Sequence, residues 1–305
     1  MKKILVTGAS GYIGSHTCLL LLKRGYEIFA LDSFVNSSLV AFKKVLLLSE
    51  QSNGDKGNLN IYKGDIRDKE ILKKIFSDAE VGNENISSVI HFAGLKSVSE
   101  SIYSPFQYWD VNLNGSINLL KVMEENDCNT FVFSSSATIY GYSNSEKVKE
   151  DSNIKPSNTY GNTKNCVETF LQDLYLSSPS KWSIASLRYF NPIGAHPSGM
   201  IGEDPIGIPN NLFPFITQVA LGKIEKLKIF GNDWPTKDGT CIRDYIHVLD
   251  VADGHLKAIE FLNKEKNKII NVNLGTGIGT SVLELVDAFE KVNKTKIPYI
   301  FTERR

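Results

Sequence analysis

The sequence predicts an α/β protein built on a doubly wound parallel sheet, followed by a smaller C-terminal substrate domain. Three observations point there. Short apolar strand patterns alternate with helical patterns through the first 190 residues, the rhythm of a parallel sheet covered on both faces. A glycine turn, Gly8, Gly11 and Gly14, joins the first strand to the first helix. From Asn191 onward the alternation loosens, and Pro, Gly and Asn accumulate. The division is therefore set at 1–190 and 191–305, with segments near 240–265 expected to pack back on the first domain.

Ile4-Leu5-Val6-Thr7 reads as a buried strand, and the run from Ser15 to Leu22 as a helix. The glycines between them let backbone approach a pyrophosphate, and the helix start offers aligned N–H groups. The second strand, 27–31, ends at Asp32. An acid there accepts both hydroxyls of an adenine ribose and repels a 2′-phosphate, which favours NAD over NADP. A helix over 39–48 and a polar insert around Asn53-Gly54-Asp55-Lys56-Gly57 precede a third strand over 60–66, whose Asp65 and Ile66 would flank the adenine. A helix follows over 68–76. In the fourth strand, 88–94, His91 reads as a core imidazole, and Lys96 just beyond it points into the cleft. A long helix is expected over 105–123, with Asn112 and Asn114 inside it.

The fifth strand, 130–136, ends in Ser134-Ser135-Ser136, on the edge where open parallel sheets bind ligands. Tyr160 and Lys164 lie four apart on one helical face, with Asn158 as candidate cap. A fixed ammonium lowers a phenol from its usual pKa of about 10, so the phenolate can take an alcohol proton and the phenol return it. The plainer alternative is a surface Tyr and Lys on an amphipathic helix. Later, Asn191, Asn210, Asn211 and Arg243 offer amides for a base and hydroxyls and a guanidinium for phosphates. Turn chemistry is the competing account of those asparagines.

Lys plus Arg equals Asp plus Glu at 34 each, which excludes a global pull toward nucleic acid or anionic membrane. Cys18, Cys128, Cys166 and Cys241 are scattered and read as reduced thiols of a cytoplasmic protein. Met1-Lys2-Lys3 leads straight into a strand, so no signal peptide is expected, and no apolar run reaches membrane-spanning length. No metal site is expected.

Gly8-x-x-Gly11-x-x-Gly14, Ser134-Ser135-Ser136-Ala137-Thr138-Ile139-Tyr140-Gly141 and Tyr160-x-x-x-Lys164 resemble the extended short-chain dehydrogenase/reductase family, with its Rossmann domain. Leu187-Arg188-Tyr189-Phe190-Asn191-Pro192-Ile193-Gly194-Ala195-His196, Gly202-Glu203-Asp204-Pro205, Ile208-Pro209-Asn210-Asn211-Leu212 and Arg243-Asp244-Tyr245-Ile246-His247-Val248 are similar to its NAD-dependent nucleotide-sugar epimerases. The likeness runs from the first strand to the last residue. It implies interconversion of UDP-glucose and UDP-galactose by transient oxidation at sugar carbon 4, with hydride returned to the other face from a tightly held NAD. It assigns Tyr160, Ser136 and Lys164 to catalysis. To NAD it assigns Gly8, Gly11, Tyr12, Ile13, Gly14, Asp32, Ser33, Asn36, Asp65, Ile66, Phe92, Lys96 and Tyr189, together with Tyr160 and Lys164. Lys96, Ser136, Tyr160, Tyr189, Phe190 and Asn191 would meet the sugar side of the substrate. Asn210, Asn211 and Leu212 would support diphosphate and sugar, Lys228 and Phe230 the uracil, Arg243 and Arg305 the diphosphate. A homodimer through a four-helix bundle of helices 105–123 and 160–175 is also implied.

Two departures stand out. The family usually has Tyr-Gly-Lys-Ser-Lys, whereas Asn162 here removes one positive charge and is expected to point away from the phenol. Family members continue past Arg305 into further helices, so this chain is expected to be short of them, including the residue that admits or rejects an N-acetyl group. Three rival readings share this fold. A 4,6-dehydratase needs a carboxylate pair where this chain has Ala137-Thr138. A 4-epimerase of UDP-N-acetylhexosamine or UDP-uronate is harder to set aside than the dehydratase. A non-catalytic NAD sensor could dispense with the Tyr, Lys and Ser that are all present.

Overall fold

The structure, a computed structural model, describes residues 2–51, 57–82, 84–142, 147–207 and 209–304. The polar insert expected over 53–57 falls, except for Gly57, outside the described residues, as do Ile208 and Arg305. The chain begins β1 (Lys3–Thr7), α1 (Tyr12–Lys23), β2 (Glu27–Asp32), α2 (Leu39–Glu50), β3 (Asn58–Lys63), α3 (Lys69–Ala79) and β4 (Ser88–His91). It continues α4 (Val98–Tyr103), α5 (Pro105–Tyr108), a π-helical segment (Trp109–Asn114), α6 (Gly115–Glu125), β5 (Thr130–Ser136), α7 (Thr159–Ser177) and β6 (Ser183–Tyr189). The last third comprises β7 (Asn191–Ile193), α8 (Leu212–Ala220), β8 (Leu227–Phe230), β9 (Ile242–His247), α9 (Val248–Lys264), β10 (Ile269–Leu274), β11 (Gly279–Ser281), α10 (Val282–Asn293) and β12 (Tyr299–Thr302).

Seven strands form one parallel sheet in the order β10-β6-β5-β4-β1-β2-β3. Its strands are apolar on both faces because both faces are covered. Ile4, Val6, Ile28 and Ala30 pack under α1, α2 and α9 through Leu21, Phe42, Val45 and Leu256. Leu5, Phe29, Val89 and Phe131 pack on the other face against Leu72, Leu119 and Leu171 of α3, α6 and α7. Two small sheets, β11-β9-β7 and β12-β8, surround a separate core of Ile216, Leu227, Ile229 and Val286. Among the described residues no helix is long and apolar enough to cross a membrane.

The structure differs from the sequence reading in four places. The third strand stops at Lys63, not Ile66, because Gly64 N–H returns to the Asp32 carbonyl and Asp65 caps the Arg67 amide at 2.9 Å, turning the chain. The fourth strand ends at His91, which is fully packed as expected: its ring nitrogens meet Thr7 Oγ1 at 2.6 Å and Ser116 Oγ at 2.9 Å. The helix over 105–123 is interrupted by the π-helical segment, where Asn112 turns inward. The return to the large sheet extends past 265: α9 packs on α1, and β10 adds an edge strand beside β6.

Candidate active site

The carboxyl ends of the parallel strands open on one side, and there residues from both halves of the chain line a cleft of about 1470 Å³. That exceeds the few hundred to ~1,000 Å³ typical of one small ligand. At one end lies the glycine turn. A Cβ on Gly8, whose φ is +66°, would stand 2.6 Å from the Ala93 nitrogen, and one on Gly14 2.3 Å from the Gly8 carbonyl oxygen. Only glycine lets β1, α1 and the end of β4 approach so closely. The amino end of α1 carries no side-chain cap, so its first N–H groups face the cleft. Asp32 is buried at the end of β2, its carboxylate accepting Ser10 N at 2.8 Å, Phe34 N at 2.9 Å and Ser37 Oγ at 2.7 Å. Uncapped helix end, glycine cradle and acid at the second strand together fit a dinucleotide such as NAD.

Tyr12, Ile13, Ser33, Asn36, Asp65, Ile66, Phe92 and Lys96 line the same cleft. Asp65 does not present a free carboxylate: Arg67 clasps both of its oxygens, at 3.0 and 2.8 Å, and reaches Asp110 at 2.7 Å. Lys96 points into the cleft, but its ammonium is bonded to Glu203 at 3.1 Å.

At the far end, β5 and α7 bring Ser136, Tyr160 and Lys164 together. Asn158 caps α7 by accepting the Gly161 amide at 2.8 Å. Tyr160 is 8% exposed, and burial pushes its phenol up to about 12, opposed by a hydrogen bond from Ser136. Ser136 Oγ already accepts Thr138 N at 3.2 Å and Thr138 Oγ1 at 2.9 Å, so its own proton is free to be donated to the phenol oxygen. Lys164 donates to the Ser134 carbonyl at 2.8 Å, with Nζ 5.9 Å from the Tyr160 ring centre. Burial pulls its ammonium down to about 8, with the Glu168 carboxylate opposing. Tyr189 shares a short hydrogen bond with Ser134 Oγ; burial and the neighbouring Tyr160 raise its pKa.

Phe190, Asn191, Asn210, Asn211, Leu212, Lys228, Phe230 and Arg243 line the second half's side of the cleft. Arg305 lies outside the described residues. Asn211 precedes α8 without capping it; its amide instead donates to Glu203 at 2.6 Å. Sequence reasoning assigned no part to Glu203, although it quoted the Gly202-Glu203-Asp204-Pro205 stretch. Thr138 entered there only as a residue that sets aside a dehydratase, not for the hydroxyl that orders Ser136, and the buried Glu168–Arg188 pair behind the site was given no part.

The model of the NAD dependent epimerase/dehydratase family matches residues 4–273. A UDP-glucose 4-epimerase of Bacillus subtilis is 50% identical over 308 residues, covering 99% of this chain and 85% of the relative. UDP-glucose 4-epimerase 4 of Oryza sativa is 51% identical over 305 residues, covering 100% and 80%. The structure of UDP-glucose 4-epimerase from Bifidobacterium longum in complex with NAD+ and UDP superposes with a TM-score of 0.92 at 42% identity, covering 100% of this chain and 87% of that one. With a family model spanning most of its length and relatives at half identity, the chain belongs to the NAD-dependent epimerase/dehydratase family, alongside its UDP-glucose 4-epimerases.

Proposed function

We infer that the chain interconverts UDP-glucose and UDP-galactose, using NAD as a bound cofactor. The observation that carries the catalytic reading is the cluster of Tyr160, Ser136 and Lys164 at the floor of a cleft shared by both halves. NAD, when bound, supplies the acceptor for the carbon-4 hydride and later its donor. Tyr160 takes the proton of the sugar 4-hydroxyl and returns it after the ring has turned. Ser136 steadies the same oxygen. The lowering of the phenol expected from Lys164 is not what the site alone does, since burial pushes Tyr160 up with only Ser136 opposing. In this reading Lys164 helps the phenol ionise only together with the cationic nicotinamide of bound NAD. The glycine turn, Asp32 and Ile66 receive the dinucleotide, while Asn191, Asn211 and Arg243 receive the nucleotide sugar. The halves 1–190 and 191–305 are read as cofactor and substrate domains, and α9 and β10 brace the first from within the second. The four free cysteines support a cytoplasmic location.

The test is to supply UDP-galactose without external NAD and follow UDP-glucose. The wild type turns over on its retained cofactor. Tyr160→Phe loses about 10²–10⁴-fold in kcat with NAD still bound. Near-normal turnover by this variant would falsify the role given to Tyr160. A 4-keto-6-deoxy product would instead mark a dehydratase.

A further inference from the structure

A second polar row lies directly behind the reacting side chains. Across the large sheet, Ser135 of β5, Arg188 of β6 and Asn273 of β10 stand side by side in register. Successive residues of a strand face opposite sides, so this row faces away from the one formed by Ser136 and Tyr189. Glu168 of α7 lies over it. The Glu168 carboxylate accepts the Ser135 hydroxyl and the Arg188 guanidinium, at 3.0 Å from Nε and 2.6 Å from Nη2. Arg188 also donates to the Tyr140 hydroxyl at 2.9 Å and the Glu150 carbonyl at 3.0 Å, and Tyr140 donates to Asn273 at 2.7 Å. The side chains of Arg188 and Glu168 are 3% and 6% exposed.

Ser135, Arg188 and Glu168 each adjoin a site residue on their own element. Ser135 sits between Ser134 and Ser136. Arg188 directly precedes Tyr189. Glu168 is one helical turn beyond Lys164 and two beyond Tyr160. A buried ion pair is costly to assemble and no bargain for stability compared with packed apolar side chains, so stability alone is a weak reason for its presence. Its guanidinium fork fixes direction as well as distance.

We propose that Ser135, Glu168 and Arg188 are positioning residues, setting α7 against β5 and β6 so that Tyr160, Lys164, Ser136 and Tyr189 meet at one point. The frame touches neither substrate nor cofactor. The inference rests on the catalytic reading of Tyr160, Ser136 and Lys164.

The experiment compares Ser135→Ala, Arg188→Lys and Glu168→Gln with wild type and Tyr160→Phe. Ser135→Ala cuts the tie to β5 and spares the ion pair. Arg188→Lys keeps the charge but loses the fork. Each is measured for NAD content, melting temperature, kcat, KM and the isotope effect with 4-deuterated UDP-galactose. The expected result for the two mild variants is a kcat lowered about ten- to hundred-fold per NAD-loaded site, the scale of a misplaced reacting group. KM stays nearly constant and the isotope effect grows as hydride transfer becomes slower. Glu168→Gln should follow them; if it fails to fold, the mild pair decides. A kcat per loaded site indistinguishable from wild type in both mild variants, whatever their melting temperatures, overturns the proposal. Activity in Tyr160→Phe would overturn the underlying reading instead, so the two failures are separable.

Discussion

Tyr160 and Lys164 are buried side by side, and burial favours the neutral form of each, pushing the phenol up to about 12 and pulling the ammonium down to about 8. The lysine's folded value lies below its ordinary 10.5, so between pH 8 and 10.5 the unfolded chain binds the extra proton. Its contribution to stability therefore rises with pH across that window and is flat below it. Tyr160 does the reverse: its raised value adds stability that is complete below pH 10 and is lost as pH rises toward 12. The stability difference between wild type and Lys164→Met isolates the first effect. In urea titrations, wild type should gain on the variant by about 3 kcal/mol between pH 8 and 10.5, the 2.5-unit shift at 1.36 kcal/mol per unit. A difference that is flat with pH would mean Lys164 is not held in a desolvated site. At this scale the sequence was informative where chemistry is carried by motif: the glycines, Asp32, Ser136, Tyr160 and Lys164 all line the cleft. It was silent on Glu203 and Arg188, because a charge reads as a solvated side chain until its partners on distant elements are in place.

The element that carries the reacting pair, α7, is set by its first turn. Asn158 supplies the cap, and the Ser101 hydroxyl accepts the Tyr160 amide at 3.2 Å. Asn158→Ala removes the side-chain acceptor and should cost about 1 kcal/mol in chemical denaturation. Asn158→Asp, which still caps, should recover most of that loss. Equal destabilisation by both would show that the cap is not what holds the turn. Element type and order were legible because the apolar pattern of a parallel sheet is continuous and its helices are amphipathic. Boundaries were not where a local side-chain bond outcompetes the pattern, as Asp65 does at the end of β3. The π-helical segment has no sequence period of its own; it is visible only through Asn112, which bonds Leu95 N at 2.8 Å and Thr163 Oγ1 at 3.0 Å. β10 went unassigned because asparagines interrupt its apolar run, whereas Asn273 is the half-buried end of the polar row.

Across the whole molecule, one exterior surface is conspicuous for what it leaves exposed. The helices α4 and α5 present Ile102, Tyr103 and Phe106 at 59%, 86% and 91% exposure, beside the run that continues through the π-helical segment into α6. That run is bonded to α7 by the Asn112–Thr163 contact and shares its core, so the two helices pack as a pair beside the reactive residues. A second copy placed on it by a two-fold axis would bring two helix pairs into one four-helix bundle. Such an interface needs about 800 Å² from each partner, and aromatic residues at its centre contribute most. The homodimer that the family resemblance leads one to expect makes a mass prediction. In sedimentation at micromolar concentration, wild type should behave as twice the 34.0 kDa chain, and Phe106→Asp as a single chain. Because Phe106 lies on the exterior, the variant should retain its NAD and its cooperative melt. A wild type that sediments as one chain across that range would remove the dimer. A dimer untouched by Phe106→Asp would move the interface to another face.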